Sequence, residues 1–471
     1  MKVLLTGTIP IDIFYPMGLL CLYSYVKARM PDIEIKIIEC WDINTSPKEL
    51  EAFAPDIFGI SSMSQSYELA CRAARTAREL KPDLPIVLGG THVSLLPEAF
   101  RRCFDIGVIG EGEDTLCELL KCFLSGKPTL EQLEKIDGLI FWREDKTYRT
   151  KVRMPVNLEQ YPLMDYSPIN KKMFKIKPIG TWGVWGVEGL IETSRGCPFR
   201  CIFCATSRFW GKPRFFPIEW VVQNILNLIV NYGCTHIQMT DDLFASSKKH
   251  LREMAEAFSK YKIQEKIELA CSSRASIFDA EFCELIKAVG GTTVFFGFES
   301  GNERVLQLLK GESAKLAANY NAVKICYEGK LECWGSFVLG APTETIDEMY
   351  DTLRFIQWSK KYKTRRMGIG ILAPYPGSPI WELALKMGRV SLDMDFSQFI
   401  LRRDIAVDGA FIEPERRLDF AKLWDDAQRV CHSFKWLKAW CLFKSNPLRT
   451  LLYLFQAPWP IIKRLFVPTM P

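Results

Sequence analysis

Cys197, Cys201 and Cys204 stand as C-x3-C-x2-C within Glu192-Thr-Ser-Arg-Gly-Cys-Pro-Phe-Arg-Cys-Ile-Phe-Cys-Ala205, and three thiolates so spaced suit an iron-sulfur cluster. The usual complement of a [4Fe-4S] cube is four thiolates, so one iron is left without a protein ligand. A metal centre with an open position does chemistry rather than hold a fold, and for iron-sulfur that chemistry is electron transfer into a bound molecule. The bland alternatives are a structural zinc knuckle or unrelated thiols in a chain with 16 cysteines. A closed zinc site wants a fourth Cys or His close by, and none lies within twenty residues of Cys204.

The elements around the cysteines must place them. Leu190-Ile191-Glu192-Thr193 reads as the end of a strand, and Gly196 and Pro198 force a loop after it. The cysteines then sit at the carboxyl end of a strand, where barrel folds keep their active sites. β and α patterns alternate from Gly189 onward: a helix over Trp220 to Tyr232, then strands at Ile237–Thr240, Ile267–Cys271, Thr293–Gly297, Trp334–Gly340 and Met367–Leu372. Asp241 and Asp242 follow the second strand, and paired carboxylates there are costly to bury unless a cation or donor meets them. Ser272 and Arg274 follow the third, where an arginine can take a carboxylate bidentately or make a surface ion pair.

A length of 471 residues suggests roughly three domains. Hydrophobic content of 48% and charged content of 25% are those of a globular protein with ample core. The net charge of +6 is mild and its basic residues are scattered among acids, so nucleic acid is not indicated. Single cysteines such as Cys71, Cys103, Cys117, Cys234 and Cys326 sit in helical or strand patterns, as buried free thiols do in a reducing compartment. Met1-Lys-Val-Leu-Leu-Thr6 reads as a first strand rather than a cleavable signal. No apolar run reaches the roughly 18 residues that span a bilayer. Cytoplasmic residence is expected, in a low-oxygen setting if the cluster is exposed.

With Phe203 as the aromatic residue before its last cysteine, the cysteine element resembles the signature of the radical S-adenosylmethionine (radical SAM) enzymes. The resemblance implies a partial (β/α)6 barrel of the TIM type. It implies that SAM chelates the open iron, that one electron cleaves SAM to methionine and a 5′-deoxyadenosyl radical, and that an external reductant of the flavodoxin or ferredoxin type supplies the electron. It further implies SAM contacts from Asp241 and Asp242, from Ser272 and Arg274, from Glu299 and Ser300 in a "G-x-E-S-G" element, and from Gly340, which would leave room for adenine. Glu344, in "G-x-P-x-E-T", serves either a ligand or the start of a helix. Ala373-Pro-Tyr-Pro-Gly-Ser-Pro379 again matches the cobalamin-linked members of the family.

Residues 1–150 alternate short β-rich runs with helices, the pattern of a parallel α/β sheet of Rossmann-like type. Candidate strands are Val3–Leu5, Ile33–Ile38, Ile57–Ile60, Ile86–Leu88 and Ile106–Ile109, with a helix over Tyr67 to Leu80. Ligands of such folds sit beyond the carboxyl ends of the strands. Those ends are Ser61, Ser62, Met63 and Ser64; Gly89, Gly90, Thr91 and His92; and Gly110, Glu111, Gly112 and Glu113. The region resembles the cobalamin-binding domain found upstream of many radical SAM domains, with strand ends of the types "S-S-M", "G-G-x-H" and "G-E-G-E". The Asp-x-His-x-x-Gly signature that supplies a cobalt ligand is absent, which implies a corrinoid whose lower face is free of a protein imidazole. His92 faces the corrin, faces the substrate, or caps the next helix.

Residues 151–186, with Pro155, Pro162, Pro168 and Pro178, read as a linker. The barrel is expected over 187–390 and a helical cap or tail over 391–471. Phe434 to Phe466 is aromatic and basic; it either packs over the substrate cavity or lies on a membrane surface. The resemblance as a whole implies a C-methyltransferase acting on an unactivated carbon through the adenosyl radical and methylcobalamin. Its rivals are a radical SAM ring-forming cyclase and, from another class, a non-catalytic iron-sulfur or corrinoid carrier. The substrate, whether small molecule, lipid or peptide, is not read from these residues.

Overall fold

Two parallel sheets carry the fold. The computed structural model describes residues 1–8, 16–169, 174–179, 184–244, 246–364, 366–399 and 410–432. Packing divides the chain into two compact units, one of 1–171, 204–211 and 374–400, the other of 172–203, 212–373 and 401–471. This division does not follow the linear one. Residues 151–171 pack with the first unit, and 374–400 return to it from beyond the barrel strands.

In the first unit the strands lie in the order Glu34–Ile38, Lys2–Gly7, Ile57–Ser61, Ile86–Gly89, Ile106–Val108, Leu139–Arg143, Lys146–Arg149. The first five pair in parallel and the last two add an antiparallel hairpin. Val3, Leu4, Phe58, Ile86 and Leu88 are fully buried, as strands covered on both faces must be. Helix Tyr67–Leu80 lies where the periodicity predicts, and Ala70, Ala73, Ala74 and Ala77 make its buried face. Strand order reverses between Lys2–Gly7 and Ile57–Ser61, and such switch points are where open α/β sheets take their ligands. The hairpin over 139–149 was not among the expected strands. Its signal is the continuous apolar run Leu139 to Trp142 before Glu144, which takes a positive φ of 52° at the turn.

In the second unit six strands run parallel in sequence order: Glu188–Ile191, His236–Met239, Glu268–Ser273, Gly291–Glu299, Glu332–Leu339 and Arg366–Ile371. Sequential, all-parallel order is that of a barrel wall built from βα repeats. Phe296 and Phe298 point to the helical layer, where they meet Phe278 and Phe355. Phe295, Ser272 and Trp334, which share a register row, therefore face the inside. A hairpin of Lys177–Ile179 and Val184–Gly186 fills part of that interior, with Ile179 packed on Ala270 and Phe295. Helix Arg417–His432 covers the far edge through Leu423 and Ala427, which pack with Leu339, Met349 and Leu353.

The aromatic, basic stretch from Phe434 to Phe466, with its packing and membrane readings, lies outside the described residues. Among the described residues no helix is long and apolar enough to cross a membrane, and every cysteine is free.

Candidate active site

The cysteine loop leaves the first barrel strand and is pinned where it starts. Ser194 and Arg195 pair with Phe215 and Arg214 in a short antiparallel ladder, and Arg195, 3% exposed, closes on Glu192 through Nε at 3.0 Å and Nη2 at 2.8 Å. The backbone N–H of Gly196, at φ 96°, donates to Asp242 Oδ2 at 3.1 Å. The loop is also tied down in its middle: Ile202 N donates to Leu309 O at 2.9 Å. Cys197, Cys201, Phe203 and Cys204 are all partly exposed. Cys201 Sγ accepts from Arg274 Nη1 at 3.2 Å; Cys204 Sγ accepts from Thr206 N at 3.5 Å. Among the described residues no three His, Cys, Asp or Glu side chains gather closely enough for one metal ion. The thiolates of a cluster take separate irons and need not converge.

Asp241 is a staple for this loop. Its carboxylate, 6% exposed, accepts from the Thr193 backbone N–H at 3.1 Å, from Thr193 Oγ1 at 2.7 Å and from Ser194 Oγ. Burial pushes its pKa up to about 6 against the pull of those donors. Asp242 beside it is exposed. Ser272 Oγ donates to Asp241 O at 3.1 Å and accepts from Phe244 N at 3.4 Å, so it ties the ends of the second and third strands together. Arg274 has three of its five N–H donors engaged within the protein, on Cys201, on Ser276 Oγ at 3.0 Å and on Lys310 O at 3.1 Å.

Glu299 ends the fourth strand at a β-bulge with a left-handed φ of 63°. Such backbone in a residue other than glycine is held by its surroundings and clusters at functional sites. Its carboxylate folds back over Gly297, where any Cβ would collide with it, and lies 3.6 Å from Lys310 Nζ, which also donates to Gly297 O. Burial raises the Glu299 pKa and lowers that of Lys310, while each charge opposes the other's shift. Ser300 is fully buried and accepts from Asn302 N at 3.1 Å; its hydroxyl holds the turn into the next helix.

Gly340, at φ 82°, has Ile412 Cδ1 at 3.2 Å from where a Cβ would stand, so the room it leaves is filled by the protein itself. Glu344 Oε2 accepts from the N–H groups of Gly340 and Ala341 at 2.7 and 2.9 Å, while Oε1 is buried without a hydrogen bond. Burial lifts the Glu344 pKa to about 7. Thr345, not Glu344, caps the helix that follows.

The strand ends of the first unit hold a different surface. Thr8 Oγ1, Ser62 Oγ and Ser66 Oγ form a hydroxyl cluster at the switch point, with Thr8 and Ser66 2.7 Å apart. Ser61 and Met63 contribute backbone carbonyls to it. A Cβ added at Gly89 or at Gly110 would meet no atom within 4 Å, so two bare stretches of backbone face open space, a cradle a flat macrocycle can approach. Gly90 is needed for another reason. At φ 95° its Cβ would stand 2.5 Å from Ser62 O.

His92 is 1% exposed, stacked on Tyr67 at 3.7 Å and edge-on to Phe396 at 4.7 Å, with Nδ1 3.0 Å from Ser64 Oγ. Burial first, and then the Arg101 charge, hold its pKa at about 3. Its ring is core and caps no helix; Thr91 begins that short helix. Glu111 accepts from Val156 N at 3.1 Å and Glu113 from Tyr161 OH at 2.8 Å, so both anchor the segment after the hairpin. Gly112 lies against Leu22. Thr193, Ser194, Phe199 and Lys310 escape a reading by motif, since their roles come from partners far along the chain.

Comparison with known proteins finds a family for each of two stretches of the chain. Residues 191–356 match the radical SAM superfamily and residues 10–120 the B12 binding domain. An uncharacterized methyltransferase of Pyrococcus horikoshii is 31% identical over 381 residues, which cover 79% of this chain and 78% of that protein. The anaerobic magnesium-protoporphyrin IX monomethyl ester cyclase of Cereibacter sphaeroides is 23% identical over 71% of this chain and 54% of its own length. The structure of the radical S-adenosylmethionine methyltransferase TsrM from Kitasatospora setae shares the fold, with a TM-score of 0.68 at 22% identity over 83% of this chain and 77% of that one. The chain belongs to the cobalamin-dependent radical SAM enzymes, whose cofactors are a [4Fe-4S] cluster, SAM and cobalamin.

Proposed function

We propose that this enzyme transfers a methyl group from SAM, by way of cobalamin, to a carbon that carries no lone pair. The observation that carries the reading is the coexistence in one chain of a three-cysteine loop at the head of a six-strand parallel wall and a bare-backbone cradle at the switch point of a second sheet. Similarity to a methyltransferase over 79% of the chain supports it. When bound, the cluster with SAM supplies hydrogen-atom abstraction and cobalamin supplies a transferable methyl group.

The chain's own residues divide the remaining work. Cys197, Cys201 and Cys204 would hold three irons, with Phe203 beside them. Asp241 keeps the loop's first turn in place through Thr193 and Ser194. Asp242, which also takes the Gly196 N–H, and Glu299, with Lys310 as counter-charge, would meet the cationic amino group of SAM or its ribose. Gly89 and Gly110 admit the corrin face, and the hydroxyls of Thr8, Ser62 and Ser66 line the strand ends next to it. No side chain is required as a general base, because the carbon is activated by loss of a hydrogen atom.

The test is incubation of the reconstituted protein with methyl-labelled SAM and candidate substrates. The labelled methyl group should appear in the product, together with 5′-deoxyadenosine. Deoxyadenosine and a dehydrogenated or cyclised product without label would assign ring formation instead, and no cleavage of SAM would leave a carrier.

A further inference from the structure

Arg274 closes the third barrel strand, Glu268–Ser273, and reaches both the cysteine loop and the helix that anchors it. Its Nη1 reaches Cys201 Sγ at 3.2 Å, and its guanidinium lies 4.0 Å over the ring of Phe199, two residues earlier in the loop. Its Nη2 takes the last carbonyl of helix Glu303–Lys310, the helix whose Leu309 O binds Ile202 N. Ser276 Oγ fixes Nε. The residue is 5% exposed, so this planar cation is oriented on three sides and little screened by salt.

We propose that Arg274 is a positioning residue for the cluster: it holds Cys201 in place and, by donating to that sulfur, makes the cluster easier to reduce. The inference rests on the reading that Cys197, Cys201 and Cys204 hold a [4Fe-4S] cluster. A cluster gains negative charge when it takes an electron, and hydrogen bonds to its sulfurs stabilise the more negative state and raise the potential. A cation held beside the sulfur adds to this in a poorly screened site. Lysine offers a point charge on a flexible stem and cannot keep the sulfur, the carbonyl and the hydroxyl in one plane. Two of the five donors stand outside these contacts and can still take a carboxylate, so the redox titration is run without SAM to separate this role from recognition of the SAM carboxylate.

The experiment is a redox titration, followed by electron paramagnetic resonance, of anaerobically reconstituted wild-type, R274K and R274Q proteins, with iron and sulfide measured on each. At the wild-type midpoint potential the ratio of reduced to oxidised cluster should fall about tenfold in R274Q, which is a 59 mV shift for one electron. The fall in R274K should be smaller. Equal iron with an unchanged ratio in R274Q overturns the proposal. Should R274Q lose its iron, R274K decides: a lowered ratio supports the role, and a wild-type ratio reduces Arg274 to a structural brace. A wild-type protein that takes up no iron overturns both this inference and the cluster reading.

Discussion

Glu344 shows how one buried side chain makes its own pH dependence. Its Oε2 is held by two backbone N–H groups while its Oε1 has no hydrogen bond, and burial lifts its pKa to about 7. A folded value above the unfolded one means the contribution to stability is full below the ordinary carboxylate range and is lost as the pH rises through 7. E344Q keeps an acceptor for the two N–H groups and cannot ionise. It should match wild type near pH 5 and exceed it near pH 8 by up to about 3 kcal/mol, in urea unfolding at the two pH values. Asp241 gives a second prediction at this scale. D241A strips the acceptor from Thr193 and Ser194, and each buried donor left unsatisfied costs about 1–3 kcal/mol. Iron retention by the reconstituted protein should fall although Asp241 is not a ligand, and unchanged iron would place the loop's order elsewhere. The sequence marks Asp241 as a carboxylate in need of a partner. It does not say that the partner is the chain itself.

At the scale of the element, two adjacent glycines separate fold from ligand. The strand Ile86–Gly89 leaves Gly89 facing open space, while Gly90 has a positive φ and Ser62 against it. G89A should therefore leave the melting temperature unchanged and lower the cobalamin retained after gel filtration. G90A should lower the melting temperature itself, because a Cβ there is strained in φ and meets backbone that cannot yield. If G89A retains as much cobalamin as wild type, the cradle lies at another strand end. The strand and helix periods made these elements legible in advance, the helix Tyr67–Leu80 to the residue. The hairpin over Leu139–Arg149 was not, because its second strand, Lys146–Arg149, is polar and mostly exposed and offers no buried face to betray it.

At the scale of the molecule, the first unit is completed by a segment that follows the last barrel strand. Phe396 in that segment is fully buried against Tyr67 and His92, and Arg101 Nη2 donates to Met394 O at 3.3 Å. F396A should destabilise the first unit by about 3–5 kcal/mol, as large aromatic truncations in a core do. A separate early melting transition would report it, and a single unchanged transition would refute it. The sequence by itself determined the chemistry on offer: three thiolates at a spacing that leaves an iron open, glycines at strand ends, and two runs of βα periods. These are local properties, set by turn residues and by the repeat of apolar side chains over a few positions. The tertiary structure decided which polar groups are already committed. Arg274 is committed to Cys201, Asp241 to Thr193, Glu111 and Glu113 to Val156 and Tyr161, and His92 to an aromatic stack. Those partners lie tens of residues apart, and only the packing of the chain brings donor and acceptor within hydrogen-bond reach.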